Sequence, residues 1–186
     1  TAETESIALF GKSWTLHATE ILRTTLEGNV QLIEDSVAYL VGHGREVVYD
    51  AEHFFDGYKA DADYAVETLL AAERGGALIL VLCDTNGGTL TSEMGRIIAA
   101  VKERISIPFA IHAHNDSGVG VANTLAAVHL LAQEQFAHMP VDHRQRRLAT
   151  AAKTPAGHPP RLPQTPLVKD CFNPTIREFK HVFSRF

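Results

Sequence analysis

The feature that most constrains the fold is a continuous apolar run, Ala77–Cys83, which stops at the polar segment Asp84–Gly88. An unbroken run of this length is typical of a strand that is buried on both faces of a parallel sheet. Three further segments read as short strands of the same kind: Ser6–Phe10, Glu46–Glu52 and Ile107–His114. We therefore predict four strands in one sheet.

A stretch with apolar residues at helical spacing follows each predicted strand. The stripes run over Leu22–Leu40, Ala65–Ala72, Met94–Ile105 and Val119–Leu131. Asp61 is suited to cap the second helix and Gly75–Gly76 to end it, whereas His53–Lys59 is predicted to be a loop. Strand–helix units repeated in this way predict parallel strands that are joined by crossover helices.

Polar residues stand at the carboxyl end of every predicted strand: Lys12, Glu52, Asp84–Thr85 and His112–His114. A βα barrel gathers its chemistry on that face, and an open doubly wound sheet gathers it at one switch point. Four consecutive polar strand ends favour the barrel, and no glycine-rich nucleotide fingerprint follows any of the strands. The fold prediction is α/β, a partial (β/α)8 TIM barrel of about four βα units.

His112 and His114 are two residues apart, so on a strand their side chains point the same way. Two imidazoles that converge at a strand end suit a divalent metal ion. The alternative is that they are ordinary polar ends of a barrel strand. Spacing alone does not decide between the two interpretations.

The composition excludes several classes of protein. With 45% hydrophobic and 21% charged residues and a net charge of −5, the 186-residue chain matches a globular domain and offers no case for binding nucleic acid or an anionic membrane. No apolar run is long enough to span a bilayer, and the first residues lack the pattern of a signal peptide. Cys83 is expected to be a buried thiol, which fits a cytoplasmic location.

A compositional boundary lies near residue 132. Residues 1–132 contain 8 Lys/Arg and 18 Asp/Glu, whereas residues 133–186 contain 9 and 4, together with seven of the eight prolines. Proline-rich basic stretches usually do not fold alone. We predict a partial barrel domain over residues 1–132 and an irregular tail over 133–186, with one short helix possible within Asn173–Phe186.

Four segments carry a resemblance to a known family: Phe10–Trp14, Tyr49–Lys59, Leu82–Thr89 and His112–Asp116. Together they closely resemble the citramalate synthase family, within the superfamily of isopropylmalate and homocitrate synthases, which are metal-dependent TIM-barrel condensing enzymes. The resemblance runs from about Ile7 to about Val128. It implies that the four units are strands 4–7 of the barrel.

The resemblance implies an acyltransferase that condenses acetyl-CoA with pyruvate to give citramalate, an entry to isoleucine synthesis. His112 and His114 match the family's histidine metal ligands, and the ion would be Mg²⁺, Mn²⁺ or Zn²⁺. Glu52 matches the carboxylate beside the keto acid, which makes it the expected catalytic residue, and Thr85 matches the threonine that binds the keto acid's carboxylate. The family also implies a homodimer. A related condensing enzyme such as isopropylmalate synthase is the alternative.

Each of these residues also has a simpler explanation. Glu52 could be a solvated loop carboxylate, and Thr85 could only form a turn. Lys12 could pair with a carboxylate on the rim. Other polar residues near the strand ends are expected to be structural: Asp84 capping its loop, Asn115 and Asp116 stabilising the turn before the last helix, and His17 and His53 packing or facing solvent.

The family's first strand, with its aspartate ligand and arginine, and its eighth strand have no counterpart in these 186 residues. We therefore expect the isolated chain to be inactive, with two unpaired edge strands and a tendency to self-associate. The sequence after residue 132 is read either as the product of a frame change or as a basic interaction tail. A non-catalytic fragment that binds a partner is the third functional hypothesis.

Overall fold

The computed structural model describes residues 4–137. Within them, four parallel strands form one sheet in the order β1-β2-β3-β4, which is also their order along the chain. Their bounds are Ser6–Lys12, Glu46–Glu52, Ile79–Asp84 and Phe109–Ala113. The two outer strands of this sheet, β1 and β4, each pair on one side only within the described residues.

In the same described part of the chain, one or two α-helices follow each strand: α1 Leu26–Gly42, α2 Phe54–Ala60, α3 Ala62–Gly75, α4 Thr91–Lys102 and α5 Gly120–Ala137. A five-residue π-helical turn, His17–Ile21, lies between β1 and α1. Among the helices of the described residues, none is both long and apolar enough to cross a membrane.

Local capping accounts for the ends of two helices. The Thr25 hydroxyl accepts a hydrogen bond from the Gly28 amide at 2.9 Å at the start of α1, and Asp61 accepts one from the Tyr64 amide at 3.0 Å at the start of α3. Gly76, with φ 94°, follows the last residue of α3 in the left-handed conformation. The predicted cap at Asp61 and the predicted stop at Gly75–Gly76 are both confirmed.

The sheet has one covered face and one open face. Strand residues Val47, Tyr49 and Ala51 are fully buried, and so are Leu80 and Leu82. They pack with apolar residues of the helices in a single core cluster, whose largest helical members are Phe54, Phe55, Leu69, Met94 and Ile98. The alternate residues of the same strands face away from this core.

Sequential strand order explains why only one face is covered. Right-handed crossovers that always add the next strand on the same side place every helix on the same face of the sheet, whereas a doubly wound sheet must reverse direction once. The order β1-β2-β3-β4 contains no reversal. The chain is thus an α/β protein with the architecture of a partial TIM barrel, as predicted.

The structure corrects three local predictions. Residues 53–59 are not a loop, because Phe54–Ala60 forms helix α2, whose two phenylalanines are buried in the core. The first helix begins at Leu26 rather than Leu22. Strand β3 is buried on both faces only at its carboxyl end: Leu80 and Leu82 are fully buried on one face, whereas on the other face Val81 is only half-buried and Cys83 is buried.

The predicted tail, residues 133–186, falls almost entirely outside the described residues, as does the predicted short helix in Asn173–Phe186. The predicted boundary at residue 132 therefore stays a prediction. So does the expectation of self-association, although the open face and the edge strands on which it depends are present in the structure.

Candidate active site at the carboxyl edge of the sheet

The predicted site residues come together at one edge of the sheet. Glu52 is the last residue of β2, Thr85 directly follows β3, and His112 and His114 lie at the end of β4. Because these strands are parallel neighbours, their carboxyl ends meet at the same edge. The structure therefore brings all four residues to adjacent positions, which is the arrangement that a shared site requires.

Glu52 forms an ion pair with Lys12. The two residues are direct partners in the β1–β2 register, so their side chains extend from the same face of the sheet, where the Lys12 ammonium contacts the Glu52 carboxylate. The Lys12 side chain is 19% exposed and the Glu52 side chain is 29% exposed. Lys12 thus holds the Glu52 carboxylate in place at the strand end, and Glu52 is the rim carboxylate with which Lys12 pairs.

Thr85 is oriented by the chain that leaves β2. Its hydroxyl oxygen accepts a hydrogen bond from the His53 amide at 2.8 Å. His53 has a positive φ of 55°, an uncommon conformation for a residue other than glycine, which turns the chain from β2 into α2. Since the Thr85 oxygen accepts this bond, its hydroxyl hydrogen remains available to donate toward the open edge.

Further polar contacts join the loop after β3, which carries Thr85, to helix α2. Asp56 on α2 accepts a hydrogen bond from the side-chain amide of Asn86 at 3.0 Å, and Lys59 lies 3.9 Å from the other carboxylate oxygen of Asp56. The loop that carries Thr85 is therefore bonded at two points to the start of α2, and α2 is itself anchored in the core.

Asp84 and Asn115 have the structural roles that were expected of them. Asp84 is fully buried, and its carboxylate accepts hydrogen bonds from the Thr89 hydroxyl at 2.9 Å and the Thr89 amide at 3.4 Å. The side-chain oxygen of Asn115 accepts a bond from the Gly120 amide at 2.8 Å, at the start of α5. Both side chains stabilise loops at the edge of the sheet.

His112 and His114 point to the same side, as the strand period predicts. Their rings are stacked, with centroids 4.9 Å apart and planes inclined by 28°. His112 is partly buried and His114 is exposed. The imidazole donors lie beside the end of β3, which Thr85 follows, and one strand further from Glu52. Nitrogen donors of this type fit a divalent transition-metal ion.

Two residues that the sequence reading did not assign to the site lie next to His112. One ligand-type atom from each of Asp50, Cys83 and His112 lies within 4.8 Å of the other two. Burial raises the pKa of the Asp50 carboxyl group, an effect that His112 opposes, and burial followed by the nearby Asp50 charge raises the pKa of the Cys83 thiol. Strand alternation is the signal that could have found Asp50, since it shares a face with Glu52.

His17 and His53 pack against each other rather than facing solvent. Their rings meet edge to face with centroids 4.4 Å apart, and Trp14 lies 5.0 Å from the His17 ring. The Nδ1 atoms of both are buried without a hydrogen bond, although the His53 Nδ1 lies 3.5 Å from Asp56. Burial lowers the pKa of His17, and His53 and Lys12 lower it further.

Comparison with known proteins identifies the family. Residues 1–133 match the HMGL-like family model. The chain belongs to the HMGL-like family. A solved structure supports the fold. The HMG-CoA lyase of Bacillus subtilis superposes on this chain with a TM-score of 0.61 at 15% identity, and the match covers 68% of this chain and 44% of the lyase. At that identity the likeness concerns the fold alone.

The curated relatives are more similar in sequence. The chain is 55% identical over 128 residues to the (R)-citramalate synthase of Aquifex aeolicus and 54% identical over 127 residues to that of Geobacter sulfurreducens, in both cases over 68% of this chain and 24% of the relative. A 2-isopropylmalate synthase of Methanocaldococcus jannaschii is 34% identical over 64% of this chain and 22% of its own length. The chain thus spans about a quarter of the length of the citramalate synthases that it resembles.

Proposed function

We propose that this chain forms the keto-acid side of a citramalate synthase active site. The observation that carries the proposal is the meeting of Glu52, Thr85 and His112–His114 at three adjacent strand ends. A carboxylate, a hydroxyl donor and imidazoles at one edge are the groups needed to hold a small 2-keto acid. The 55% identity to a citramalate synthase, against 34% to an isopropylmalate synthase, favours pyruvate as that acid.

In the proposed reaction, the methyl group of acetyl-CoA loses a proton, and its carbon forms a bond with the keto carbon of pyruvate. The keto oxygen takes up a proton, and water then hydrolyses the thioester to release citramalate and CoA. A divalent ion held by His112 and His114 would supply Lewis-acid polarisation of the keto oxygen. Which of Mg²⁺, Mn²⁺ or Zn²⁺ serves in this role is set by the ligands that complete the site.

The side chains of Thr85 and Glu52 position the keto acid. The Thr85 hydroxyl, which accepts from the His53 amide, directs its hydrogen to the pyruvate carboxylate. Glu52, held by Lys12, places its carboxylate beside the keto carbon, where it is the proposed catalytic residue. Both depend on the α2 junction, since His53 both follows Glu52 and orients Thr85.

Turnover by this chain alone is expected to be undetectable. His114 is exposed and Phe10 is 68% exposed on the open face, so the described residues leave the site open to water. A condensing enzyme must exclude water from a reactive carbanion-like intermediate. A homodimer, implied by the resemblance, and a cytoplasmic location, which the expected buried thiol of Cys83 fits, are further parts of this proposal.

A chimera tests the proposal directly. The 128 residues of the Aquifex aeolicus enzyme that match this chain are replaced by the corresponding residues of this chain, and CoA release is measured with acetyl-CoA and either pyruvate or 2-ketoisovalerate. We expect citramalate formation and a preference for pyruvate. In the same chimera, Glu52→Gln and Thr85→Val should each lower kcat/KM by about a hundredfold or more.

The exposed His43, at the end of α1, provides the control, and His43→Ala should leave the rate unchanged. A folded chimera that prefers 2-ketoisovalerate would favour the isopropylmalate synthase alternative over the citramalate synthase assignment. A folded chimera with no condensing activity would contradict the proposal and favour the non-catalytic alternative.

A further inference from the structure

The open face of the sheet contains a mixed donor cluster, of which the proposed reaction uses only His112. Asp50, Cys83 and His112 come from three neighbouring strands, β2, β3 and β4. Cys83 and His112 are direct partners in the β3–β4 register. Asp50 reaches the pair from the other side of Cys83, so that a carboxylate, a sulfur and an imidazole nitrogen converge within 4.8 Å of one another.

These distances are close to those of a bound ion. Zinc bonds to sulfur, nitrogen and oxygen ligands are about 2.0–2.3 Å long, which places the ligand atoms of a tetrahedral site roughly 3.5 Å apart. Side-chain movements of about an ångström would therefore bring the three donors onto one ion. They would leave the fourth position open, as in sites that bind an exchangeable ligand.

The environment also favours a cation. Cys83 is 5% exposed and Asp50 is half-buried, so a carboxylate and a sulfur share a region that is largely removed from water. Within residues 4–137, Asp50 has no ion pair with a lysine or arginine; Lys12, the nearby cation on this face, is paired with Glu52. A divalent ion would compensate the negative charge of the half-buried Asp50 carboxylate.

We propose that Asp50, Cys83 and His112 form a thiolate-containing metal site that takes a borderline-soft divalent cation such as Zn²⁺ or Co²⁺, without His114. Sulfur and imidazole ligands select such cations over Mg²⁺, which prefers oxygen. The site shares His112 with the metal position of the proposed function. It does not depend on keto-acid condensation, because it is built from donors that the structure already brings together.

Cobalt titration of the full chain tests the proposal. All variants carry Cys171→Ser, so that Cys83 is the only thiol. We expect Co²⁺ to produce the near-ultraviolet charge-transfer absorption of a cobalt–thiolate bond, and Cys83→Ser to abolish it. Asp50→Asn and His112→Ala should each weaken Co²⁺ binding by at least about tenfold, since even the loss of an outer-shell partner costs that much.

Two histidine variants separate this site from others. His114→Ala removes the second imidazole of the condensing-enzyme site, and His43→Ala removes an exposed histidine on α1 as a control for non-specific binding among the ten histidines. Both should retain the cobalt–thiolate absorption and the affinity of the parent. Loss of binding in His114→Ala, with unchanged binding in Cys83→Ser, would overturn the proposal and leave only the histidine pair.

A competition experiment on the parent chain requires no substitution in the site. Cd²⁺ should displace Co²⁺ stoichiometrically, whereas a large excess of Mg²⁺ should not displace it. Displacement by Mg²⁺, or the absence of any thiolate absorption in a chain whose circular dichroism shows it to be folded, would also overturn the proposal. The pyruvate preference of the chimera is measured separately, so failure of either proposal is recognised independently of the other.

Discussion

The two faces of the sheet use the same strands for different purposes. On the covered face, Tyr49 and Leu82 are fully buried in the helix-packed core. On the open face, the intervening residues Asp50 and Cys83 approach His112. The strand period of two separates the face that stabilises the chain from the face that carries its polar chemistry, and it does so between consecutive residues.

This separation predicts unequal responses to substitution. Changes on the covered face remove packing contacts and should reduce stability strongly, whereas changes on the open face should alter binding and leave stability nearly unchanged. Urea titration followed by circular dichroism measures the free energy of unfolding for the variants of β3, of the glycines and of Lys12.

The largest difference is expected between two adjacent residues of β3. Leu82→Ala removes a fully buried side chain from the core and should lower the free energy of unfolding by about 3 kcal/mol. Val81→Ala, on the half-buried opposite face, is the matched control and should cost about 1 kcal/mol or less. Equal losses would show that the open face is covered in solution and would contradict the difference between the two faces.

A smaller effect is expected where α2 meets the end of β1. A methyl group added at Gly57 would overlap the Ser13 carbonyl oxygen and lie 2.8 Å from its carbon. Because this contact is with backbone, Gly57→Ala should lower the free energy of unfolding by about 1–3 kcal/mol. Gly42→Ala in α1 is the control: nothing lies within 4 Å, and the change should stabilise the chain by about 0.5 kcal/mol.

A gain of stability in both glycine variants would mean that the chain at Ser13 moves away from α2 easily. That result would be informative for the site as well, because α2 holds the loop that carries Thr85.

The histidine cluster at the rim should make stability depend on pH. The pKa of His17 is lowered in the folded state by burial, and then by His53 and Lys12, with Glu52 and Asp56 opposing. A lowered pKa means that the folded state favours the neutral ring, so its contribution is present above the unfolded value of 6.5 and is lost as the pH falls through the folded pKa.

His17→Gln should therefore reduce the loss of stability that the parent shows on acidification below pH 6.5. The measurement is the difference in thermal midpoint between parent and variant across this range, since that difference cancels the titration of the carboxyl groups common to both. His43→Ala, remote from the cluster on α1, should follow the parent. Parallel curves for parent and His17→Gln would contradict the assignment.

The smallest effect is expected at the Lys12–Glu52 ion pair. Both side chains are partly exposed, and pairs of this kind contribute about 0–1 kcal/mol to stability. Lys12→Gln should accordingly change the free energy of unfolding by less than about 1 kcal/mol, yet lower the activity of the chimera, because it releases the carboxylate that we place beside pyruvate. A large stability loss without loss of activity would assign the pair a structural role instead.

Part of the architecture could be predicted because its causes are local in the chain. The apolar periods predicted the α/β alternation, the bounds of β2 match the structure, and Asp61 caps α3 through an amide three residues away. The shared direction of His112 and His114 follows from strand geometry alone. The helix α2 escaped prediction because its buried phenylalanines gain their stability from packing against the core rather than from a periodic pattern.

The contents of the candidate site were decided by register between strands that are far apart in sequence. Lys12 meets Glu52, and Cys83 meets His112, because each pair occupies one rung of a parallel ladder. The primary structure specified which residues share a face, since the strand period is a property of the backbone. The register between neighbouring strands, in contrast, depends on the tertiary structure, in which the helices pack on one face of the sheet. That register brings Asp50 and Cys83 to His112.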